Sequence, residues 1–200
     1  MVIARGGRGF VGLSALASAI SMPIQMYVGI GFLILTSFLI FVFRDPSRTA
    51  GQGVVSPADG TVREVDPKTG LVSIYLALRN VHVTRSPMKG EVTKSSHVRG
   101  RHRPAFTKAT PENERLELSI KSAIGEVLMV QMAGALARRI VPYVGEGQTV
   151  EKGAKLSLIR FGSRVDLRLP PSSVRILATE GQRVRAGVTP IAEVLDGSVE

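Results

Sequence analysis

The sequence contains no cysteine and no tryptophan, and aromatic residues fill only 5% of its 200 positions. The missing thiols exclude disulfide staples, thiolate nucleophiles, thiolate zinc sites and iron–sulfur clusters together. Scarce aromatics remove the stacking platform on which single-strand nucleic-acid binding rests. Apart from charge no nucleic-acid module leaves a signature, so no nucleic-acid partner is expected. Histidine is rare as well. His97 and His102 are the only close pair and have no third ligand nearby, so no metal site is expected. There is no acidic residue before Asp45 and no charge of either sign from Gly9 to Phe43. What is present, 44% hydrophobic and 21% charged residues, is a globular balance that excludes a wholly disordered chain.

The uncharged stretch divides the chain. Ile24 to Phe43 reads IQMYVGIGFLILTSFLIFVF. Twenty apolar residues at about 1.5 Å rise can cross a hydrocarbon core about 30 Å thick. A core helix should be amphipathic, and the apolar region of a signal peptide is shorter and ends in small residues. Pro23 splits the stretch, leaving Gly9 to Met22 too short to span easily. Two arrangements are compatible with this: one spanning helix plus an interfacial segment, or a hairpin that dips into the membrane. Arg5, Arg8, Arg44 and Arg48 flank the apolar run. The hairpin leaves both ends on the cytoplasmic face, as the positive-inside rule prefers. Residues 1–44 are therefore expected to associate with the cell membrane and residues 45–200 to form the catalytic or binding domain.

From Asp45 on, the chain carries 23 of the 26 basic residues and all 16 acidic ones, a net charge of +7. Positive charge beside an anchor suits anionic lipid head groups; a merely solvated basic face is the plainer reading. The pattern is mainly β. Leu116–Lys121 and Val165–Leu169 alternate strictly, and Pro57–Gly60, Pro67–Gly70 and Pro87–Gly90 are turn chemistry. Ala133–Ile140 has the composition of a short helix.

One internal repeat stands out. Glu146-Gly-Gln-Thr-Val-Glu-Lys-Gly153 returns 34 residues later as Glu180-Gly-Gln-Arg-Val-Arg-Ala-Gly187, with five identities in eight. Each copy precedes an apolar strand, Ala154–Phe161 and Val188–Leu195. The pattern resembles the turns of biotinyl/lipoyl-type barrel-sandwich folds. Gly7-x-Gly9-x-x-Gly12 fits the dinucleotide fingerprint in letters only, since no strand precedes it.

Four further segments carry chemistry: Phe43-Arg44-Asp45-Pro46, Ser56-Pro57-Ala58-Asp59-Gly60, Asn80-Val-His82-Val-Thr-Arg85-Ser-Pro87-Met-Lys-Gly90, and Arg160-Phe-Gly162-Ser163-Arg-Val-Asp166-Leu. In this order, with Asn113-Glu114-Arg115 between the last two, they resemble the phosphatidylserine decarboxylase family in its short form. Archaetidylserine decarboxylases, which act on archaeal ether lipids, are similar at this level. The resemblance covers roughly Phe43 to Leu169.

The resemblance implies a lyase that removes CO₂ from a serine-headed phospholipid and leaves the ethanolamine lipid. Such a reaction leaves a carbanion and needs an electron sink. The sequence offers no fold for pyridoxal phosphate. The family instead makes a pyruvoyl group from its own chain by cutting a Gly-Ser bond, here Gly162–Ser163. That would yield a β chain, residues 1–162, and an α chain, residues 163–200, which stay together as a heterodimer; higher oligomers are open. The substrate amine would condense with the ketone made from Ser163. Gly162 has no side chain to obstruct the attack. The family's Asp–His–Ser arrangement for self-cleavage falls on Asp59, His82 and Ser163, with His82 suited to proton transfer near neutral pH. Longer bacterial members carry H-x-x-H-x-P, whereas this chain has Arg85 where the second histidine stands. Either His82 serves both maturation and decarboxylation or another group acts as the base. Arg85, Arg115 and the basic run His97–Arg103 are the cations available for the lipid phosphate.

Two other functions share parts of this pattern. Met88-Lys89 matches the attachment pair of a lipoyl or biotinyl carrier, although Gly90 departs from the usual following residue. A membrane-anchored adaptor would pair an N-terminal helix with a lipoyl-like domain, but it normally inserts a long helical hairpin that is missing here.

Overall fold

The computed structural model describes residues 2–100, 113–134, 139–160 and 163–195. The chain divides into two compact units, Met1–Ser47 and Arg48–Glu200.

The first unit is a helical hairpin closed by a short ribbon. Strand β1 (Val2–Ile3) pairs antiparallel with β2 (Arg44–Asp45), and between them lie α1 (Arg8–Ser21) and α2 (Met26–Val42). Pro23 lies in the turn, where its fixed φ and missing N–H end the helical ladder. No helix among the described residues is long and apolar enough to cross a membrane. The 20-residue spanning helix expected over Ile24–Phe43 is thus replaced by the 17 residues of α2, about 26 Å of helix.

The hairpin packs through small and hydroxylated residues. Ser18 Oγ donates to Gly29 O at 2.9 Å and Thr36 Oγ1 to Ser14 Oγ at 3.0 Å. A side chain at Gly29 would collide with the Met22 backbone, so glycine sets the closeness of the turn. The large apolar residues Leu13, Leu16, Ile20, Tyr27, Leu33 and Ile34 point outward and are exposed.

The second unit is mainly β, as expected. Its strands are β3 (Val54–Val55), β4 (Gly60–Asp66), β5 (Leu71–Leu76), β6 (Val83–Arg85), β7 (Gly90–Val98), β8 (Arg115–Ser122), β9 (Gly125–Ala133), β10 (Ile140–Pro142), β11 (Thr149–Val150), β12 (Lys155–Ile159), β13 (Ser163–Arg168), β14 (Val174–Ile176), β15 (Arg183–Val184) and β16 (Pro190–Val194). They form one eight-stranded sheet, β11-β7-β8-β9-β13-β5-β4-β15, and two three-stranded sheets, β10-β12-β6 and β14-β16-β3. Leu116–Lys121 lies within β8, and Val165–Leu169 takes in the end of β13 and one residue beyond it. The short helix expected over Ala133–Ile140 is not seen. Ala133 ends β9 and Ile140 begins β10, and residues 135–138 lie outside the described set.

The strand orders are palindromic. One half is β3-β4-β5 continued by β13-β14-β15-β16; the other is the contiguous run β6 to β12. The two halves repeat the same bonds. Ser56 Oγ donates to Ala58 O and Ser86 Oγ to Met88 O. Val55 N donates to Pro87 O, and reciprocally Arg85 N to Pro57 O. Bulges fall at matching places, between Val62 and Glu64 and between Val92 and Lys94. The register makes Leu167 and Met129 both opposite each other and equivalent, so a pseudo-twofold axis passes through that buried pair.

This duplication explains the E-G-Q-x-V-x-x-G repeat residue by residue. Glu146 accepts from Ser95 N and Glu180 from Val65 N, just past the two bulges. Gln148 accepts from Gly145 N and Gln182 from Thr179 N, closing their own turns. Val150 and Val184 are buried in the core. Gly147 and Gly181 have φ of 77° and 82°, a region that favours glycine.

In the second half β8 turns directly into β9 across Ala123-Ile124, where Ser122 faces Gly125. The equivalent join in the first half, Leu76 facing Ser163, is opened, and the whole second half is inserted there. Ser163 therefore begins a strand at the point where the inserted half returns.

Candidate active site

Ser163 is 0% exposed and lies between two strands, opposite Leu76 on β5 and Ala133 on β9. Its Oγ is buried and has no hydrogen-bond partner among the described residues. A buried hydroxyl without a partner costs free energy and marks a site where something else is meant to interact. Along β13, Ser163, Val165 and Leu167 face the interior, whereas Arg164, Asp166 and Arg168 face outward. Gly162 and Phe161 lie outside the described residues.

His82 reaches this end of the sheet from β5. Asn80 makes the turn: its side-chain oxygen accepts from Ala77 N at 2.9 Å, and its own N–H donates to Ala77 O. His82 follows, buried, with its carbonyl accepting from Ile159 N at 3.1 Å. The backbone on both sides of the Gly162–Ser163 junction is thus tied to the segment that carries His82.

The N-E-R element braces the other side of Ser163. Asn113 Nδ2 donates to Ala133 O at 2.9 Å, and Ala133 N donates to Glu114 O at 2.9 Å. The Glu114 carboxylate accepts from Ile140 N and bonds His97 Nε2 at 2.9 Å, so His97 is a strand residue hydrogen-bonded to the N-E-R element. His102 lies outside the described residues.

Asp59 precedes β4, two strands from Ser163 at the same sheet end, about 10 Å by the usual strand spacing. Arg48 grips its carboxylate with two bonds, of 2.5 and 2.9 Å, and Ala186 N donates to it at 2.7 Å. The paired side chains are only 4% and 11% exposed. Removing one partner of such a buried pair costs about 3–5 kcal/mol. The sequence marked Arg48 only as a charge beside the apolar run, because nothing local announces that it folds back on Asp59.

The two arginines expected to meet the lipid phosphate both have protein partners. Arg85 is buried, donates to Gly153 O at 3.0 Å and packs beneath Gly187. Arg115 bonds Glu117 at 2.7 Å on the outward face of the sheet, opposite the face that holds the Ser163 side chain. Closer to the junction are Arg139 and Arg160, joined by a backbone bond from Arg160 N to Arg139 O. Burial, and then repulsion from Arg139, pull the Arg160 guanidinium below its ordinary pKa.

Comparison with known proteins identifies the class. The family model for phosphatidylserine decarboxylase matches residues 35–192. The chain belongs to that family of carboxy-lyases. It is 48% identical over 161 residues to the phosphatidylserine decarboxylase proenzyme of Streptomyces coelicolor, covering 78% of this chain and 73% of the relative. It is 37% identical over 205 residues to a protein of Methanosarcina acetivorans provisionally named archaetidylserine decarboxylase proenzyme, covering 96% and 97%. A protein of Halobacterium salinarum with the same provisional name is 42% identical over 188 residues, covering 91% of each.

Proposed function

We propose that this chain matures by cutting itself between Gly162 and Ser163 and then decarboxylates a serine-headed glycerophospholipid at the membrane surface. The observation that carries the reading is the buried Ser163 Oγ, without a partner among the described residues, at the start of a central strand. The word proenzyme in the names of its relatives supports it. The duplicated strand arrangement reads as the barrel-sandwich architecture that the repeat suggested. Its Lys89, in the turn equivalent to that of Asp59, is paired with Glu151 at 2.8 Å. Family membership favours the lyase over the carrier or adaptor.

Maturation balances as follows. Ser163 Oγ bonds to the Gly162 carbonyl carbon, the peptide C–N bond breaks, and the hydroxyl proton goes to the released amine. Loss of the Ser163 α-proton then expels the Gly162 carboxylate and leaves a dehydroalanine at position 163. Tautomerisation and one water release ammonia and leave a pyruvoyl ketone. When formed, that ketone supplies the electron sink for loss of CO₂. No metal and no pyridoxal phosphate enter this scheme.

The remaining work falls to the chain. His82 moves the protons at the Ser163 centre and returns one to the substrate. Arg139 and Arg160, joined through their backbones beside the junction, are the cations placed to meet the lipid phosphate. Asp59, locked by Arg48, braces the turn at the sheet end. The α chain enters the sheet through β13, with strands on both sides, so the two pieces remain one heterodimer after the cut.

The first unit supports membrane attachment as a dipping hairpin. Water-soluble hairpins bury their large apolar residues and expose polar ones; this one does the reverse. Small and hydroxylated contacts are how helices pair in lipid, where burial of apolar surface offers no drive. Arg5, Arg8 and Arg44 stand at its open end, and the tip carries no charge. The positive-inside rule puts that end, and the chain that continues from it, on the cytoplasmic face of the cell membrane.

One experiment tests both parts. The purified chain, mixed with vesicles of phosphatidylserine or of the ether-linked archaetidylserine, is expected to float with them. It is expected to release one CO₂ per ethanolamine head group formed from at least one of the two lipids. Replacing Leu16 and Ile34 together with Glu places two charges on the lipid face and should remove flotation. Unchanged flotation of that variant contradicts the hairpin, and absence of CO₂ with both lipids contradicts the lyase.

A further inference from the structure

The interior face that holds Ser163 holds a second orphaned polar group. Along β9, Val127, Met129, Gln131 and Ala133 all face inward and are fully buried. Gln131 is the lone polar residue of that set. It faces Val165, and Ala133 faces Ser163, so Gln131 and Ser163 are diagonal neighbours on one face. Such diagonals lie about 7–8 Å apart, within reach of a long side chain.

A relay of hydroxyls fixes how Gln131 sits. Thr84 on β6 lies 2.7 Å from Ser157 Oγ on β12, and Ser157 donates a short bond to Gln131 Oε1. Thr84 Oγ1 also approaches Oε1 at 3.4 Å. All three residues are 0% exposed. With its oxygen occupied, the carboxamide keeps a free donor: Nε2 is buried and has no partner among the described residues. Cores tolerate such a donor poorly unless an acceptor arrives. Thr84 lies two residues beyond His82, which ties this relay to the site's own segment.

We propose that Gln131 Nε2 is the hydrogen-bond donor to Ser163 Oγ during maturation. The step requires the serine to turn about its Cα–Cβ bond so that Oγ meets Nε2. The donor then holds the hydroxyl for attack and shares the negative charge as its proton leaves. A preorganised donor in a water-excluded site is effective because it needs no reorientation at the moment of reaction. This inference rests on the self-cleavage reading above and adds to it a residue outside every motif of the sequence.

The test follows appearance of the smaller chain on denaturing gels after cell-free synthesis of the full chain, with thermal melting of each product. Gln131→Met keeps the volume and removes the donor; Gln131→Asn keeps a donor and loses volume. A donor role predicts that Q131M matures about 10²-fold more slowly than wild type and that Q131N recovers part of the rate. A packing role predicts the opposite order. Q131M that melts like wild type and matures at the wild-type rate overturns the proposal. If Q131M does not fold, the pair T84V and S157A decides, because it frees Oε1 without touching Nε2. Slowed cleavage supports the proposal and wild-type cleavage overturns it. Wild-type protein that never cleaves sinks the reading on which the inference rests, and the inference with it.

Discussion

Ser163→Ala should yield one uncut chain of 21.4 kDa that releases no CO₂ from serine lipid. Both losses follow from one atom under the proposed mechanism, in which Oγ is the nucleophile that opens the chain and residue 163 the source of the electrophile. The same variant should fold at least as well as wild type. Its lost hydroxyl is buried without a partner among the described residues. Removing an unsatisfied buried group is neutral or stabilising, by up to about 1 kcal/mol. A melting temperature at or above that of wild type, with a single band on a denaturing gel, is the expected pair of readings. An S163A chain that still divides would place the nucleophile elsewhere.

The second large effect is expected at His82. Its backbone is bonded to the strand leading to the junction, its side chain is buried, and no second histidine stands at position 85. His82→Ala should lower the turnover of lipid by about 10²–10⁴, the usual worth of a positioned acid or base. The gel divides the two roles open to it. An uncut and inactive H82A assigns His82 to both maturation and turnover. A cut but inactive H82A confines it to the substrate step and leaves maturation to another base. A cut and fully active H82A contradicts the assignment.

Local patterns carried much of the fold and only part of the site. Alternation in Leu116–Lys121 and Val165–Leu169 marked strands because one face of each is buried. The E-G-Q repeat was visible because its Glu, Gly, Gln and Val do the same work in both copies. The companion repeat, Ser56-Pro57-x-x-Gly60 against Ser86-Pro87-x-x-Gly90, is shorter and by itself has the look of two ordinary turns. Only together do they reveal the duplication. The insertion of one half into the other was not legible, since Leu76 and Ser163 meet across the whole of the inserted half and neither residue signals it. Arg48 looked like a flanking charge until folding brought it to Asp59. The register puts Arg115 on the outer face, which its place in the sequence does not announce. Gln131 left a faint trace, a single polar residue in an inward-facing series of apolar ones. The apolar N-terminus was legible as a run without charge. That its two segments fold into one hairpin depended on Ser14, Ser18, Gly29 and Thr36 meeting between helices.

Self-division of the chain is the claim on which cofactor, heterodimer and mechanism all depend. The intact mass of purified wild-type protein under denaturing conditions tests it most directly. The account predicts two polypeptides split between Gly162 and Ser163, with no free amino group at the start of the smaller one. One unbroken polypeptide that nonetheless turns serine lipid into ethanolamine lipid would contradict it.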